Sequence, residues 1–346
     1  MKPIKTALCS FGMSGKVFHA PLLDTHAGFE LASVWQRTKS DAKQYYPDIK
    51  IARQLEEILA DESIDLVVVN TPEPTHFPFC KAALEAGKHV VVEKAFTTTV
   101  EEADELVRLA ERLNLCLSVY HNRRWDGDFL TVQKLIQEGI LGRLVEYEAH
   151  YDRYRTYIQD NWKEIPGPGK GLLYNLGSHL IDQALVLFGF PERVFADLTI
   201  ERAGGKIEDA FQLHLYYPGL KAILKSSYLV REAGPRYKVL GEQGSFYKWG
   251  LDPQEDALKQ GIRPSVPQWG EEDEANYGHI HTEQNGLVIK GRIPSLAGNY
   301  MDYYQNIYEA IREGVPLAVS PEDGRDVMRV IDMAERSAQE GRIISA

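Results

Sequence analysis

Residues 5–19 read KTALCSFGMSGKVFH. A short apolar run, Lys5 to Cys9, leads into a turn of small residues, Ser10-Phe11-Gly12-Met13-Ser14-Gly15, and then into Lys16-Val17-Phe18-His19, which can open a helix. Strand, glycine turn and helix in that order create a place for an anion. The glycines let it approach the backbone, and the first N–H groups of the helix face it unpaired. Ser10 stands where the glycine fingerprint has its first glycine, which is tolerable at negative φ and costly otherwise. These six residues alone read equally well as a plain small-residue turn.

Outward from this turn, up to about Tyr120, apolar runs alternate with helical patterns. Strand candidates are Lys5 to Cys9, Phe29 to Trp35, Asp65 to Asn70, His89 to Glu93 and Leu115 to Tyr120. Between them lie amphipathic stretches at Arg53–Leu59 and Thr75–Ala86, the latter stopped by Gly87. A capping box at Thr98-Thr99-Val100-Glu101-Glu102 opens a helix running to Leu113. Continuous apolar strands separated by helices predict a parallel sheet covered on both faces.

The second half changes character. Leu144 to Arg155, Phe195 to Glu201, Ala210 to Tyr217 and Ala222 to Leu229 alternate, and residues 237–250 suggest a hairpin around Glu242-Gln243-Gly244. Consecutive alternating strands predict a mostly antiparallel, open sheet. Helical patterns return at Tyr300–Glu313 and Pro321–Glu340 and are expected to pack back on the body. The predicted class is α/β: a Rossmann dinucleotide-binding domain over 1–122 and a substrate-binding and oligomerisation domain over 123–346.

The bulk properties agree with two globular domains. A chain of 346 residues with 44% hydrophobic content exceeds the ~250 residues at which single cores stop growing. Its formal charge of -11, with no basic block, argues against nucleic acid or anionic membrane as a partner. No segment approaches the ~18 apolar residues of a membrane span, and the N-terminal apolar run is shorter than a signal peptide core. A soluble, cytoplasmic protein is expected, with Cys9, Cys80 and Cys116 as free thiols.

The end of the second strand sharpens the reading of the turn. An NAD-preferring dinucleotide fold places an Asp or Glu there, about twenty residues past the glycines, for the ribose hydroxyls. Here the chain reads Val34-Trp35-Gln36-Arg37-Thr38-Lys39-Ser40, with two cations and no acid. Arg37 can clamp a phosphate in bidentate fashion, Thr38 and Ser40 can donate hydroxyls, and Lys39 adds charge. NADP is the expected cofactor, in preference to NAD; the bland alternative is a solvated basic turn.

With these residues in hand the sequence resembles the Gfo/Idh/MocA family of nicotinamide-dependent oxidoreductases, nearly end to end. The carriers are Gly12-Met13-Ser14-Gly15, Asn70-Thr71-Pro72 with Thr75-His76, Glu93-Lys94, Tyr120 to Trp125, the stretch 173–183 and Gly314-Val315-Pro316-Leu317. The branch that looks most similar contains NADP-dependent scyllo-inositol dehydrogenases. The resemblance implies that Phe11, Gly12, Met13, Ser14, Gly15, Arg37, Thr38, Thr71, Pro72 and His76 bind the cofactor. It further implies that Glu93, Lys94, Asn122 and Arg123 sit at the nicotinamide side, with Trp162 a less direct candidate. The sheet of the second domain often forms the oligomer interface in this family, so a homodimer or homotetramer is expected.

The stretch Leu173 to Gln183, LYNLGSHLIDQ, spaces Asn175, His179 and Asp182 along one stripe of a helix. By resemblance His179 and Lys94 form the proton-transfer group, with Asn175 beside them. Lys94, Arg123, Tyr154, Asn175, His179 and Asp182 are then the substrate-binding candidates. His179 and Asp182 also have a spacing that suits a metal, but no third ligand has a motif-like position, so no metal is expected. A core histidine satisfied by its neighbours is the plain alternative for His179.

Three residues depart from the family pattern. Ser10 replaces a glycine, Ala95 follows Lys94 in place of Pro, and Asn175 replaces the usual Asp four residues before His179. An amide beside an imidazole lacks the charge that would favour the protonated ring. Tyr151, Arg153, Tyr154, Arg155, Arg236 and Tyr237 could offer donors and flat faces to a polyhydroxylated substrate, or cations to an acid sugar. The expected activity is interconversion of a secondary hydroxyl and a ketone on a cyclic polyol or sugar. The alternatives are an aldose or keto-sugar dehydrogenase or reductase, or a catalytically weak sensor that binds NADP or a sugar.

Overall fold

The computed structural model describes residues 2–346, and the side chain of Trp162 lies outside what is described. The expectation for Trp162 therefore has no structural counterpart. The chain forms two units: residues 1–122, 254–269 and 299–325 make the first, and 123–253, 270–298 and 326–346 make the second. In chain order the strands are β1 (Ile4–Leu8), β2 (Phe29–Trp35), β3 (Lys50–Ala52), β4 (Leu66–Val69), β5 (His89–Val92), β6 (Leu117–Val119), β7 (Leu144–His150), β8 (Arg193–Thr199), β9 (Ala210–Tyr217), β10 (Leu220–Ser227), β11 (Tyr237–Gly241), β12 (Gly244–Lys248), β13 (Gly278–Gln284), β14 (Leu287–Ile293) and β15 (Ile344–Ser345). The helices are α1 (Ala20–Thr25), α2 (Leu55–Leu59), α3 (His76–Glu85), α4 (Val100–Leu113), α5 (Gly127–Gln137), α6 (Ser178–Phe188), α7 (Gln254–Lys259), α8 (Met301–Glu313) and α9 (Pro321–Glu340).

In the first unit six strands run parallel in the order β3-β2-β1-β4-β5-β6. The all-apolar β4, Leu-Val-Val-Val, is fully buried, as a strand covered on both faces must be. The order reverses between β1 and β4, where the carboxyl-end loops part and leave a crevice. The capping box forms at α4: Thr99 accepts from the Glu102 N–H at 3.2 Å, while the Glu102 carboxylate takes the Thr98 N–H at 3.0 Å. Sequence reading missed β3, whose three residues carry too little pattern to detect.

The segments 254–269 and 299–325 belong to this first unit. Aromatic anchoring explains the return of α8. Tyr303 and Tyr304 are fully buried, and the Tyr303 hydroxyl donates to Ser118 Oγ on β6 at 2.9 Å.

The second unit carries a nine-stranded sheet in the order β14-β13-β12-β11-β7-β10-β9-β8-β15. Its described pairings are antiparallel except β7 with β10. Alternation along β7 sorts its residues: Tyr147 and Ala149 are buried, whereas Glu146, Glu148 and His150 point the other way. On that polar face Lys238 bridges Glu146 at 2.8 Å and Glu148 at 3.2 Å, and His150 lies between Glu148 and Asp152. Among the described residues no helix is long and apolar enough to cross a membrane, and the three cysteines are free.

Glu208 marks a strained electrostatic position in this unit. Its carboxylate crowds Gly171, where a Cβ would sit 1.8 Å from Oε1 and where φ is +100°, so only glycine serves. Burial, together with the charges of Glu335 and Asp209, pushes Glu208 up to about 7, although the Leu173 N–H partly opposes the rise. The folded chain thus holds this proton to higher pH than the unfolded chain does. Stability from this site is present below about 4.5 and is lost as the pH rises through about 7. Glu208→Gln is therefore expected to raise stability by roughly 1–3 kcal/mol at pH 8.5 and by little at pH 4.5, measured by urea unfolding at both values.

Candidate functional site

The turn after β1 is tied to the end of β4 by the side chains of Asn70 and Ser10. Asn70 Oδ1 accepts from the Ser10 N–H at 2.8 Å, Asn70 Nδ2 donates to the Ser10 carbonyl at 3.0 Å, and Ser10 Oγ donates to the Asn70 carbonyl at 2.7 Å. Ser10 thus uses its hydroxyl in a bond that glycine could not make, and it has no positive φ among the described residues. Close approach does demand glycine at Gly15, where a Cβ would lie 2.6 Å from the Ser10 carbonyl oxygen and 3.0 Å from Asn70 Nδ2. Residues Gly15–His19 then form a π-helical turn into α1. Met13 is more than half exposed, whereas Phe11 is buried against Tyr45 and Tyr46.

Beside this turn lies a cavity of about 420 Å³, lined by Phe11, Gly12, Met13 and Lys16 from the turn and by residues 35–39 and Asp41 after β2. Arg37, Thr38 and Lys39 are exposed there, and neither cation forms an ion pair among the described residues. The one lining carboxylate, Asp41, is already engaged. Gln36 donates to it, Lys16 Nζ binds it at 3.0 Å, and these two bonds hold its carboxyl below the usual range. Gln36 in turn accepts from the Ala42 N–H at 3.1 Å, so its amide is turned away from ligand duty. The cavity therefore offers two unpaired cations, a hydroxyl and no free acid. That set fits a phosphate on the adenosine ribose of a dinucleotide better than bare ribose hydroxyls.

The loops after β4 and β5 are braced by His76. Its Nε2 contacts the Thr71 carbonyl at 2.8 Å and its Nδ1 the Ala95 carbonyl at 2.8 Å, with the ring fully buried. His76, expected to line the cofactor, is thus a support for the loops that carry Thr71, Pro72 and Lys94; both ring nitrogens are committed. Thr71 Oγ1 accepts from Thr75 Oγ1 at 2.6 Å, and Pro72 is exposed. Glu93 follows β5, and its Oε1 lies 3.0 Å from His19 Nε2 while its Oε2 accepts the Lys94 N–H at 3.2 Å. The other His19 nitrogen meets the Tyr304 hydroxyl at 2.7 Å. Burial would raise the Glu93 carboxyl, but the His19 bond and the charges of His19, Lys94 and His76 win and bring it to about 2. Asn122 is buried at the end of this stretch, and the Lys94–Ala95 peptide is cis. Sequence reading missed His19, because nothing in its spacing connects it to residue 93.

In the second unit the stripe starts with another π-helical turn, Leu173–Gly177, which runs directly into α6. Single π turns inside helices occur often at functional sites, and here both fall on the two stretches singled out by sequence. Asn175 is half-buried within the turn and His179 buried on α6, its ring stacked 6.5 Å from that of Tyr151. Tyr151 is also flanked by Arg153 at 4.5 Å, Arg236 at 4.6 Å and Arg123 at 5.7 Å. Arg123 pairs with Asp126 at 3.4 Å, and its carbonyl accepts from Gln183 Nε2 at 2.9 Å.

Asp182, expected to hold a substrate hydroxyl, is instead occupied. Arg124 grips it with Nη2–Oδ1 at 2.6 Å and Nε–Oδ2 at 2.9 Å, and the carboxylate is almost wholly buried. A paired carboxylate in a low dielectric is an anchor for α6, with no lone pair turned to solvent. Tyr154 is nearly half exposed under Arg231, whose Nη2 donates to its hydroxyl at 2.6 Å.

Comparison with known proteins extends this geometry. Residues 4–121 match the profile described as oxidoreductase family, NAD-binding Rossmann fold, and residues 133–345 match the oxidoreductase family C-terminal alpha/beta domain. The scyllo-inositol 2-dehydrogenase (NADP(+)) of Bacillus subtilis is 43% identical over 341 residues, covering 99% of this chain and 95% of that protein. A solved Bacillus subtilis oxidoreductase superposes with a TM-score of 0.96 at 43% identity, covering 99% of this chain and 98% of the other. A Bacteroides fragilis oxidoreductase gives 0.92 at 50% identity with full coverage of both chains.

The buried Glu93 carboxylate depends on His19 for its compensation. His19→Leu is expected to cost roughly 3–5 kcal/mol of stability, since a buried charge is left without its partner. Tyr304→Phe should cost only about 1 kcal/mol. Adding Glu93→Gln to His19→Leu removes the stranded charge and should recover part of the loss, all measured by urea unfolding at pH 7.

Proposed function

Because this chain belongs to the Gfo/Idh/MocA oxidoreductase family, we propose that it is an NADP-dependent dehydrogenase. Its reaction interconverts a secondary hydroxyl and a ketone on a cyclic polyol or sugar, and scyllo-inositol is the named candidate. The observation that carries the cofactor choice is the cavity after β2, where Arg37 and Lys39 form no ion pair among the described residues and Asp41 is engaged by Lys16 and Gln36. The substrate choice rests on the similarity to the Bacillus subtilis scyllo-inositol 2-dehydrogenase.

When bound, the nicotinamide supplies hydride exchange with the carbinol carbon. The chain supplies position and proton handling. The Gly12–Gly15 turn and the start of the following helix would hold the pyrophosphate, and Arg37, Thr38 and Lys39 the ribose phosphate. His179 is the proposed base that takes the hydroxyl proton during oxidation and returns it during reduction, a task for which imidazole is the usual side chain. Lys94 would offset the developing alkoxide charge by Coulomb attraction and donation. Asn175, one helical turn before His179, can both donate to and accept from a substrate oxygen, where aspartate could only accept. Any homodimer or homotetramer through the nine-stranded sheet is likewise proposed, on the strength of its open polar face.

The test follows reduced-nicotinamide absorbance with scyllo-inositol, myo-inositol, aldoses and acid sugars, each with NADP and with NAD. Turnover of scyllo-inositol with NADP and little with NAD is the expected result. Equal use of both cofactors would overturn the NADP assignment, and turnover of aldoses alone would move the substrate to the sugar class. Asn175→Asp should shift the ionisation in the pH–rate profile upward by roughly a unit, because a carboxylate one turn away favours the charged imidazole. An unchanged profile would remove Asn175 from the site.

A further inference from the structure

Arg53 stands immediately after β3, outside every cofactor or substrate motif considered above. Its backbone is pinned on both sides: the Arg53 N–H donates to Glu57 Oε1 at 3.1 Å, and its carbonyl accepts the Trp35 indole N–H at 3.0 Å. From that fixed point the guanidinium reaches back to the loop after β2. Nη1 donates to the Gln36 carbonyl at 2.8 Å and to the Lys39 carbonyl at 2.5 Å, and Nη2 donates to Ser40 Oγ at 2.8 Å. One planar group therefore holds both ends of the segment whose middle, Arg37, Thr38 and Lys39, lines the cavity.

The segment needs such a clamp. It is exposed, it carries two like charges two residues apart with no ion pair among the described residues, and it has no regular structure before Asp41. Left alone, its cations would repel and the backbone would sample many arrangements, so a phosphate would bind only after ordering them. The Arg53 guanidinium donates to carbonyl and hydroxyl oxygens of the loop itself and draws in no carboxylate of its own. The Ser40 hydroxyl accepts from Arg53, which leaves its own hydrogen to point elsewhere.

We infer that Arg53 is a positioning residue for cofactor selection: by clamping Gln36, Lys39 and Ser40 it holds Arg37, Thr38 and Lys39 in the arrangement that accepts the 2′-phosphate. The inference rests on the NADP reading. It assigns direct phosphate contact to the loop residues and pre-organisation to Arg53. Lysine at this position would retain the charge but could not serve three separated acceptors from one planar fork.

Calorimetric titration of the full chain with adenosine 2′,5′-bisphosphate and with adenosine 5′-monophosphate isolates the 2′-phosphate without any catalytic step. Wild type, Arg53→Met and Arg53→Lys are compared, with thermal unfolding recorded for each. Both variants are expected to bind the bisphosphate about tenfold more weakly, about 1.4 kcal/mol, with monophosphate affinity within about twofold of wild type. If Arg53→Lys keeps wild-type selectivity, charge alone suffices and positioning is wrong. An equal loss for both ligands makes Arg53 a general support of the fold and also overturns the inference. Wild type that fails to prefer the bisphosphate sinks the NADP reading and this inference with it, whereas preserved wild-type preference with unaffected variants sinks only the inference.

Discussion

The bond set between Ser10 and Asn70 is the constraint on which the nucleotide-binding unit is built. It joins the ends of β1 and β4, the two strands between which the sheet order reverses and where the crevice must open. With two hydrogen bonds through the Asn70 side chain and a third from the Ser10 hydroxyl, the turn after β1 is held to one backbone path. Gly15 is then forced close to the Ser10 carbonyl, and the following π-helical turn directs His19 inward to Glu93.

The same device recurs along the carboxyl edge of the parallel sheet. Arg53 after β3 ties to the loop after β2, and Asp41 beyond β2 ties to Lys16 beyond β1. Asn70 links β1 to β4, and His76 links the loops after β4 and β5. Parallel strands leave their connecting loops unpaired by main-chain ladders at this edge, so side chains must order them. A site assembled from five loops becomes stiff because each neighbouring pair is cross-bonded. Stiffness of this kind lowers the ordering cost of binding a large, charged ligand.

The second unit solves a different problem with charge. Around Tyr151 and His179 the guanidinium groups of Arg123 and Arg236 face the carboxylates of Asp126 and Asp128, and Arg124 holds Asp182. These pairs are largely buried, and the bond from Gln183 Nε2 to the Arg123 carbonyl ties α6 to the segment after Asn122. Arg153 carries a charge with no carboxylate partner among the described residues. Polar order here is kept by ion pairs, whereas at the edge of the parallel sheet most cross-bonds run from a side chain to backbone, with the Lys16–Asp41 pair beside them.

The amino-acid sequence by itself determined the two-domain α/β class, the parallel and the antiparallel sheets, most element positions and the absence of an acid after β2. Those features are local: period, turn residues and a missing carboxylate can be read within about ten residues. The glycine turn and the helical stripe that carries Asn175 and His179 were legible for the same reason. Tertiary structure alone decided the partners. His19 and Glu93 are 74 positions apart, His19 and Tyr304 are 285 apart, and Arg53 meets its loop across 13 to 17. It also turned two expected ligand contacts into supports, since only packing shows that His76 is enclosed and that Arg124 has claimed Asp182. A side chain's chemistry is written in its type, but which group satisfies it depends on chain segments brought together by burial, and no spacing rule encodes that.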